Sequence, residues 1–243
     1  MPELPEVQIV VNQLVTRLER AQIRAIEIRD PKIKLAGDLV GRRIRRIRRR
    51  GKNIVVDLSG GRHLLVHLRM TGWFEFGQPK RYRVAIYTTR GTAYFEDARR
   101  LGMMQVVTTA QLEHALEQLG PDPLLDGCEL SGLRTTSRPV KVALLDQRLV
   151  AGVGNIYASE SLWRARINPR RRSDRLRSEE LRGLGRGIVA SLRRAIAHGP
   201  RIFEAQQFAV YGREGRPCRR CGTVIRRMVQ SQRSTYYCPH CQR

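Results

Sequence analysis

Four cysteines near the C-terminus limit what this chain can fold into more than any other feature. They stand as Cys218-x2-Cys221 and Cys238-x2-Cys241, with sixteen residues between the pairs. Two tight knuckles at this spacing each present two sulfurs to one tetrahedral ion, so one structural zinc ion is expected, held by Cys218, Cys221, Cys238 and Cys241. Two disulfides would be the alternative, and they suit an oxidising compartment. The chain reads instead as cytoplasmic. No run reaches the ~18 apolar residues of a membrane span, and the acidic N-terminus lacks the basic-then-apolar order of a signal peptide. His240 lies between the last two cysteines but is not needed as a ligand, and Cys128 stands alone as an ordinary half-buried residue.

The partner is expected to be a polyanion. Lys and Arg number 46 against 22 Asp and Glu in 243 residues, a net charge of +24. Such an excess favours nucleic acid over a membrane surface. Only five of the basic residues are lysines, Lys32, Lys34, Lys52, Lys80 and Lys141. Each is therefore of interest, because lysine alone offers an amine that can lose its proton near neutrality.

The pattern along the chain is α+β in two domains. Val7, Val10, Val11, Leu14 and Leu18 recur at helical spacing and predict an amphipathic helix from about Pro5 to Glu19. The segments "AQIRAIEIRD", "KNIVVDLS", "RHLLVHLRM", "RVAIYTT" and "TAYFED" then read as strands separated by glycine turns. They predict an antiparallel β-sandwich with the first helix packed along it. The run "GRRIRRIRRRGK" reads as a phosphate-tracking edge, with Ile44 and Ile47 still facing a core. Past residue 110 the pattern turns helical, ending in "SEELRGLGRGIVASLRRAIAHG" with Ser178 as N-cap. "GTVIRRMVQ" and "RSTYYC" pair as a hairpin that puts Arg233 at or near its tip. The expected division is 1–110 for the sandwich, 111–136 for a linker and first helical segment, 137–210 for a helical DNA-binding domain and 211–243 for the zinc finger.

Two local features carry chemistry. "VAGVGNIYASE" sets Gly152 and Gly154 before Asn155 at a helix start, where exposed amides receive phosphate. The opening "MPELPEV" is stranger. Pro5 and Glu6 suit a helix N-terminus, but Pro2 and Glu3 are left over. Once the initiator methionine is removed, Pro2 offers a secondary amine in a rigid ring, which is a nucleophile.

"PELPEV", "RGK", "HLRMTG", "ARRLG", "LGPDPL", "VAGVGNIYASE" and the terminal cysteine motif with "QRST" together resemble the bacterial formamidopyrimidine-DNA glycosylase and endonuclease VIII family, over nearly the whole chain. The opening is more similar to the formamidopyrimidine branch. The resemblance implies a helix-two-turn-helix domain before the zinc hairpin, and a monomer that acts on damaged double-stranded DNA at the nucleoid. It implies a bifunctional glycosylase and AP lyase of base excision repair, with Pro2 forming a Schiff base at the sugar C1′. Glu3 would be its acid-base partner, Lys52 a cation beside the phosphate, and Arg233 the holder of the flanking phosphate during β/δ elimination. Met70 and Arg99 would fill the gap left by the flipped nucleotide. Leu101 stands where the family has an aromatic, so stacking is lost. Lys141 and Asn155 match backbone-clamping residues, with His67 and Arg81 as weaker candidates.

A second departure concerns substrate. "HGPRIFEAQQFAVYGR" leaves little room for the longer loop that closes over 8-oxoguanine in the family. Formamidopyrimidines, hydantoin-type lesions and oxidised pyrimidines are the expected substrates. The competing class is a non-catalytic or abasic-site-only zinc-finger binder of damaged DNA, to which Pro2 and Glu3 would be useless.

Overall fold

A computed structural model describes residues 2–35, 39–199 and 208–243. Two compact units divide the chain, Met1–Glu117 and Gln118–Arg243. The first opens with α1 (Leu4–Leu18), with Pro5 in its first turn. Eight strands follow: β1 (Ile23–Ile28), β2 (Ile44–Arg50), β3 (Asn53–Leu58), β4 (Arg62–His67), β5 (Trp73–Glu75), β6 (Val84–Thr88), β7 (Gly91–Glu96) and β8 (Met103–Thr108). They form two four-stranded antiparallel sheets, in the orders β1-β6-β7-β5 and β2-β3-β4-β8. Val7, Val10, Val11, Leu14 and Leu18 of α1 share one buried cluster with Ile44, Ile47, Ile54, Val66, Val84 and Phe95 from the sheets. Helix α2 (Thr109–Glu117) closes the unit.

Strand β2 is the arginine-rich run. Ile44 and Ile47 both face the core although three positions apart, an odd interval that should put them on opposite faces of a strand. A register shift between Ile44 and Arg46 inserts the extra residue that restores the alternation. The segment is therefore an edge strand as well as a basic face, which the sequence reading did not assign.

The second unit holds α3 (Val140–Leu144), α4 (Asn155–Arg164), α5 (Ser178–His198) and the strand pair β9 (Arg226–Gln230) and β10 (Arg233–Tyr237). Leu181, Leu184, Ile188 and Leu192 of α5 are buried. A Cβ on Gly187 would lie 3.1 Å from the Ser161 carbonyl oxygen, so glycine there lets α5 come close to α4. The cap of α5 falls one residue earlier than Ser178: Arg177 is the N-cap, and Glu180 Oε2 accepts its amide at 2.9 Å. The β9–β10 turn is made by Ser231 and Gln232, both left-handed at φ 45° and 60°, the two-residue geometry that matches strand twist.

The cysteine segment buries little apolar surface of its own. Its cluster contains Val210, Cys218, Ile225 and Cys238, with Trp163, Tyr236 and Cys241 packed against it. So small a core needs a staple. Chelation, or Cys238→Ser, is expected to strip hydrogen-exchange protection from β9 and β10 while leaving that of β3 and β4 intact. Unchanged protection in β9 and β10 would show that the hairpin stands without metal.

Candidate active site

In the first unit the N-terminal residues are held as part of the fold. Pro2 is buried, and Glu3, only 1 % exposed, is the N-cap of α1. Glu6 Oε2 accepts the Glu3 amide at 2.7 Å, and the Glu3 carbonyl accepts the first helical bond from Val7. The carboxylate-rich first turn thus fixes the direction in which the chain enters the helix.

Lys52 occupies the turn between β2 and β3, next to Gly51, whose φ of 57° asks for glycine. Arg49 ties this turn to α1. Its side chain is almost fully enclosed, its Nε donating to Gln8 Oε1 at 2.9 Å and its Nη1 to the Gly51 carbonyl at 3.0 Å. Across the ladder, Asn53 pairs with His67. The Arg69 amide donates to His67 Nδ1 at 3.0 Å, so that nitrogen carries no proton and Nε2 carries the donor hydrogen. Burial, and then the charges of Arg69 and Lys52, hold the imidazole down to about 4. His67 is thus a neutral donor beside Lys52.

Two loops of this unit present the expected gap-filling residues. β4 ends at His67, and Arg69 then turns through a left-handed φ of 55°. The turn breaks the alternation that would have buried Met70 with Leu64, Val66 and Leu68; Leu68 is 1 % exposed and Met70 is 36 %. In the loop from 97 to 102, Arg99 is exposed and Leu101 is 47 % exposed. Arg81 is also exposed, before β6.

In the second unit, Gly154 is the N-cap of α4, so Asn155 is its first residue rather than its cap. Asn155 Nδ2 donates to the Ser234 carbonyl at 3.0 Å, which ties the start of α4 to the residue beside the exposed Arg233. Lys141 in α3 is fully enclosed, unlike the other candidates for DNA contact.

The four cysteine sulfurs lie within 4.8 Å of one another and form a site able to hold a metal ion. Trp163 Nε1 donates to Cys218 Sγ at 3.4 Å, a bond that orients the sulfur and joins the cluster to α4. Arg220 covers the same indole, 4.2 Å from the ring centroid.

Arg49, Glu160 and Trp163 were not singled out by sequence reasoning. Glu160, 5 % exposed in α4, accepts the amides of Ala209, Val210 and Tyr211 at 2.8–3.1 Å. An acid five residues after Asn155, on the buried side of α4, was the available signal. Arg49 gave none, being one arginine in a run of them. The segment read as too short for a lesion-capping loop includes 200–207, which lie outside the described residues.

Comparison with known proteins gives one consistent result. The N-terminal domain of formamidopyrimidine-DNA glycosylase matches residues 1–104, its H2TH domain matches 119–207, and the zinc finger found in FPG and IleRS matches 215–243. A formamidopyrimidine-DNA glycosylase of Thermus thermophilus is 38% identical over 263 residues, covering 100% of this chain and 98% of that protein. Among solved structures, Lactococcus lactis formamidopyrimidine-DNA glycosylase bound non-covalently to DNA with an AP site has a TM-score of 0.91 at 32% identity, covering 99% of both chains. MutM in complex with DNA containing carbocyclic 8-oxo-G has a TM-score of 0.90 at 30% identity, covering 100% of both chains.

The half-buried His67 supports a pH prediction. Its folded value of about 4 lies below the ordinary 6.5. Between those values the unfolded chain binds a proton that the folded chain refuses, so His67 withdraws stability as pH falls through that window and has no effect above it. An NMR titration is expected to place the imidazole midpoint near 4, with the proton on Nε2 in the neutral form. A midpoint at or above 6.5 would contradict the partial burial of the ring and the Arg69 bond.

Proposed function

The chain belongs to the formamidopyrimidine-DNA glycosylase family, and on that premise we propose how its residues divide the work of a bifunctional glycosylase and AP lyase acting on oxidised bases. Pro2, freed of Met1, is the nucleophile. Its nitrogen lone pair forms a bond to the sugar C1′ as the N-glycosidic bond breaks, and the N–H proton that Pro2 then sheds goes to the departing base. Glu3 supplies the proton that opens the sugar ring, leaving a cationic iminium between Pro2 and C1′. The iminium draws electrons from C2′, so loss of a C2′ proton expels the 3′ phosphate; a second elimination expels the 5′ phosphate, and water then releases Pro2.

The observation that carries this reading is the enclosure of Pro2 and Glu3 at the start of α1, with Glu6 holding the Glu3 amide. A binding protein has no use for a proline that becomes a free amine on removal of Met1 and sits beside an enclosed carboxylate. Lys52, held toward α1 by Arg49, is assigned the phosphate beside the lesion, with His67 donating from Nε2. Arg233 is assigned the flanking phosphate and Asn155 the backbone near it. Lys141 is assigned the supporting charge behind that clamp, since an enclosed ammonium reaches a phosphate only by moving. Met70, Arg99 and Leu101 fill the gap in the stack, and Arg81 lends charge to the same face. The metal held by Cys218, Cys221, Cys238 and Cys241 is zinc, whose part is structural.

The substrates are formamidopyrimidine, hydantoin-type and oxidised pyrimidine lesions, with 8-oxoguanine a poor one. Support comes from the stretch "HGPRIFEAQQFAVYGR", which leaves little room for a capping loop between α5 and the cysteine segment. The enzyme works as a cytoplasmic monomer on damaged duplex DNA.

Pro2→Ala, with removal of Met1 verified by intact mass, is expected to lose about 100-fold or more in excision and elimination while keeping its affinity for duplex DNA. Turnover equal to that of the unaltered protein would remove Pro2 as nucleophile.

A further inference from the structure

The gap-filling residues proposed above come from two separate loops. Met70 lies between β4 and β5, and Arg99 and Leu101 lie between β7 and β8, in connections that pass from one sheet to the other. Residues that must enter a base stack together have to be held together, and a buried group of charges lies where these loops meet.

Asp97 follows β7, Arg83 precedes β6 and Asp30 follows β1; their side chains are 0 %, 6 % and 4 % exposed. Asp97 Oδ1 accepts the Thr71 hydroxyl and the Arg99 amide, the latter at 3.3 Å. Asp97 Oδ2 accepts the Gly102 amide at 2.6 Å and Arg83 Nη1 at 2.9 Å. Arg83 Nη1 also donates to the Gly102 carbonyl at 2.9 Å, and its Nε donates to Asp30 Oδ2 at 2.7 Å. Asp30 in turn holds the guanidinium of Arg100 through two bonds.

We propose that the Asp97–Arg83–Asp30 triad is a positioning element that sets Met70, Arg99 and Leu101 as one rigid group and thereby determines discrimination among opposite bases. The inference rests on the gap-filling role assigned to those three residues. Every member of the group is tied at itself or at its neighbour. Thr71 is next to Met70; Arg99 is held by its own amide, which also donates to Thr71 Oγ1 at 3.1 Å. Leu101 is suspended between Arg100, on Asp30, and Gly102, on Asp97 and Arg83.

Two further observations distinguish this from a generic buried ion pair. Arg100 is left-handed at φ 54°, a conformation that side-chain-bearing residues rarely adopt. Asp30 holds it there and turns Leu101 outward. A Cβ on Gly102 would come within 2.6 Å of the Phe95 ring and 3.0 Å of Asp97 Oδ2, so the loop backbone is pressed onto the carboxylate. Both acids remain ionised. Bonds from Arg100 hold Asp30 well below the usual carboxylate range. Burial pushes Asp97 up, but the Thr71 hydroxyl, the Gly102 amide and Arg83 outweigh it.

The test uses the full-length protein with Thr71→Val, Asp97→Asn and Arg99→Ala. Thr71→Val leaves the Arg83 pairing intact and keeps the test valid where Asp97→Asn fails to fold, as judged by its melting transition. Single-turnover strand cleavage is measured on an abasic site in single-stranded DNA and in duplexes carrying each opposite base. Thr71→Val and Asp97→Asn are expected to keep their single-strand rate, to lose about 10- to 100-fold on duplexes, and to flatten the ratio between best and worst opposite base toward that of Arg99→Ala. Equal losses on single strands and duplexes, or an unchanged ratio in folded variants while Arg99→Ala alters it, would overturn the positioning role. An unchanged ratio in Arg99→Ala itself would overturn the gap-filling assignment on which the inference stands.

Discussion

Pro2, the nucleophile proposed above, would have only one covalent tether once Met1 is removed, and the helix that follows it is what fixes it in place. That helix begins two residues after Pro2 and buries Val7, Val10, Val11, Leu14 and Leu18 against both sheets. Glu6 holds the Glu3 amide, one residue from Pro2. Immobilisation by packing on a rigid scaffold is what converts an ordinary amine into a positioned one. Arg49 extends the arrangement, relating the Lys52 turn to α1 through Gln8 and Gly51.

Arginine does two kinds of work in this molecule. On exposed surfaces it gives the field that draws a polyanion, an effect that depends on salt and on no particular geometry. Inside, Arg49 and Arg83 act as branched struts, each bonding to groups that the sheet ladders do not join. A guanidinium suits this role because it stays charged and presents its donors in a fixed fork. The strong preference for arginine over lysine therefore serves the interior as well as the surface, and it leaves Lys52 as a distinct amine beside an uncharged His67.

Much of this was legible in the sequence, for reasons that can be named. Helix α1 showed its apolar spacing, the hairpin showed two β-rich runs, and the cysteines showed their paired spacing. What was hidden depended on contacts distant in the chain. β2 was read as a basic edge and not among the strands, because the three-residue interval between Ile44 and Ile47 fits a strand only through a bulge. Met70 shared parity with buried residues, and only the left-handed turn at Arg69 releases it. The cap of α5 fell one residue early because Glu180 accepts the Arg177 amide, a choice local composition does not decide. Arg49 and Arg83 look like every other arginine, and only their burial distinguishes them.

The central claim is that Pro2 forms a covalent iminium with the sugar. Its most direct test is borohydride reduction of the protein on a duplex with an abasic site, followed by mass mapping of the cross-linked peptide. A stable adduct on the proline nitrogen at position 2, in protein shown to lack Met1, is the predicted result. An adduct mapped to Lys52 or another amine, or no adduct from protein that begins at Pro2, would contradict the account.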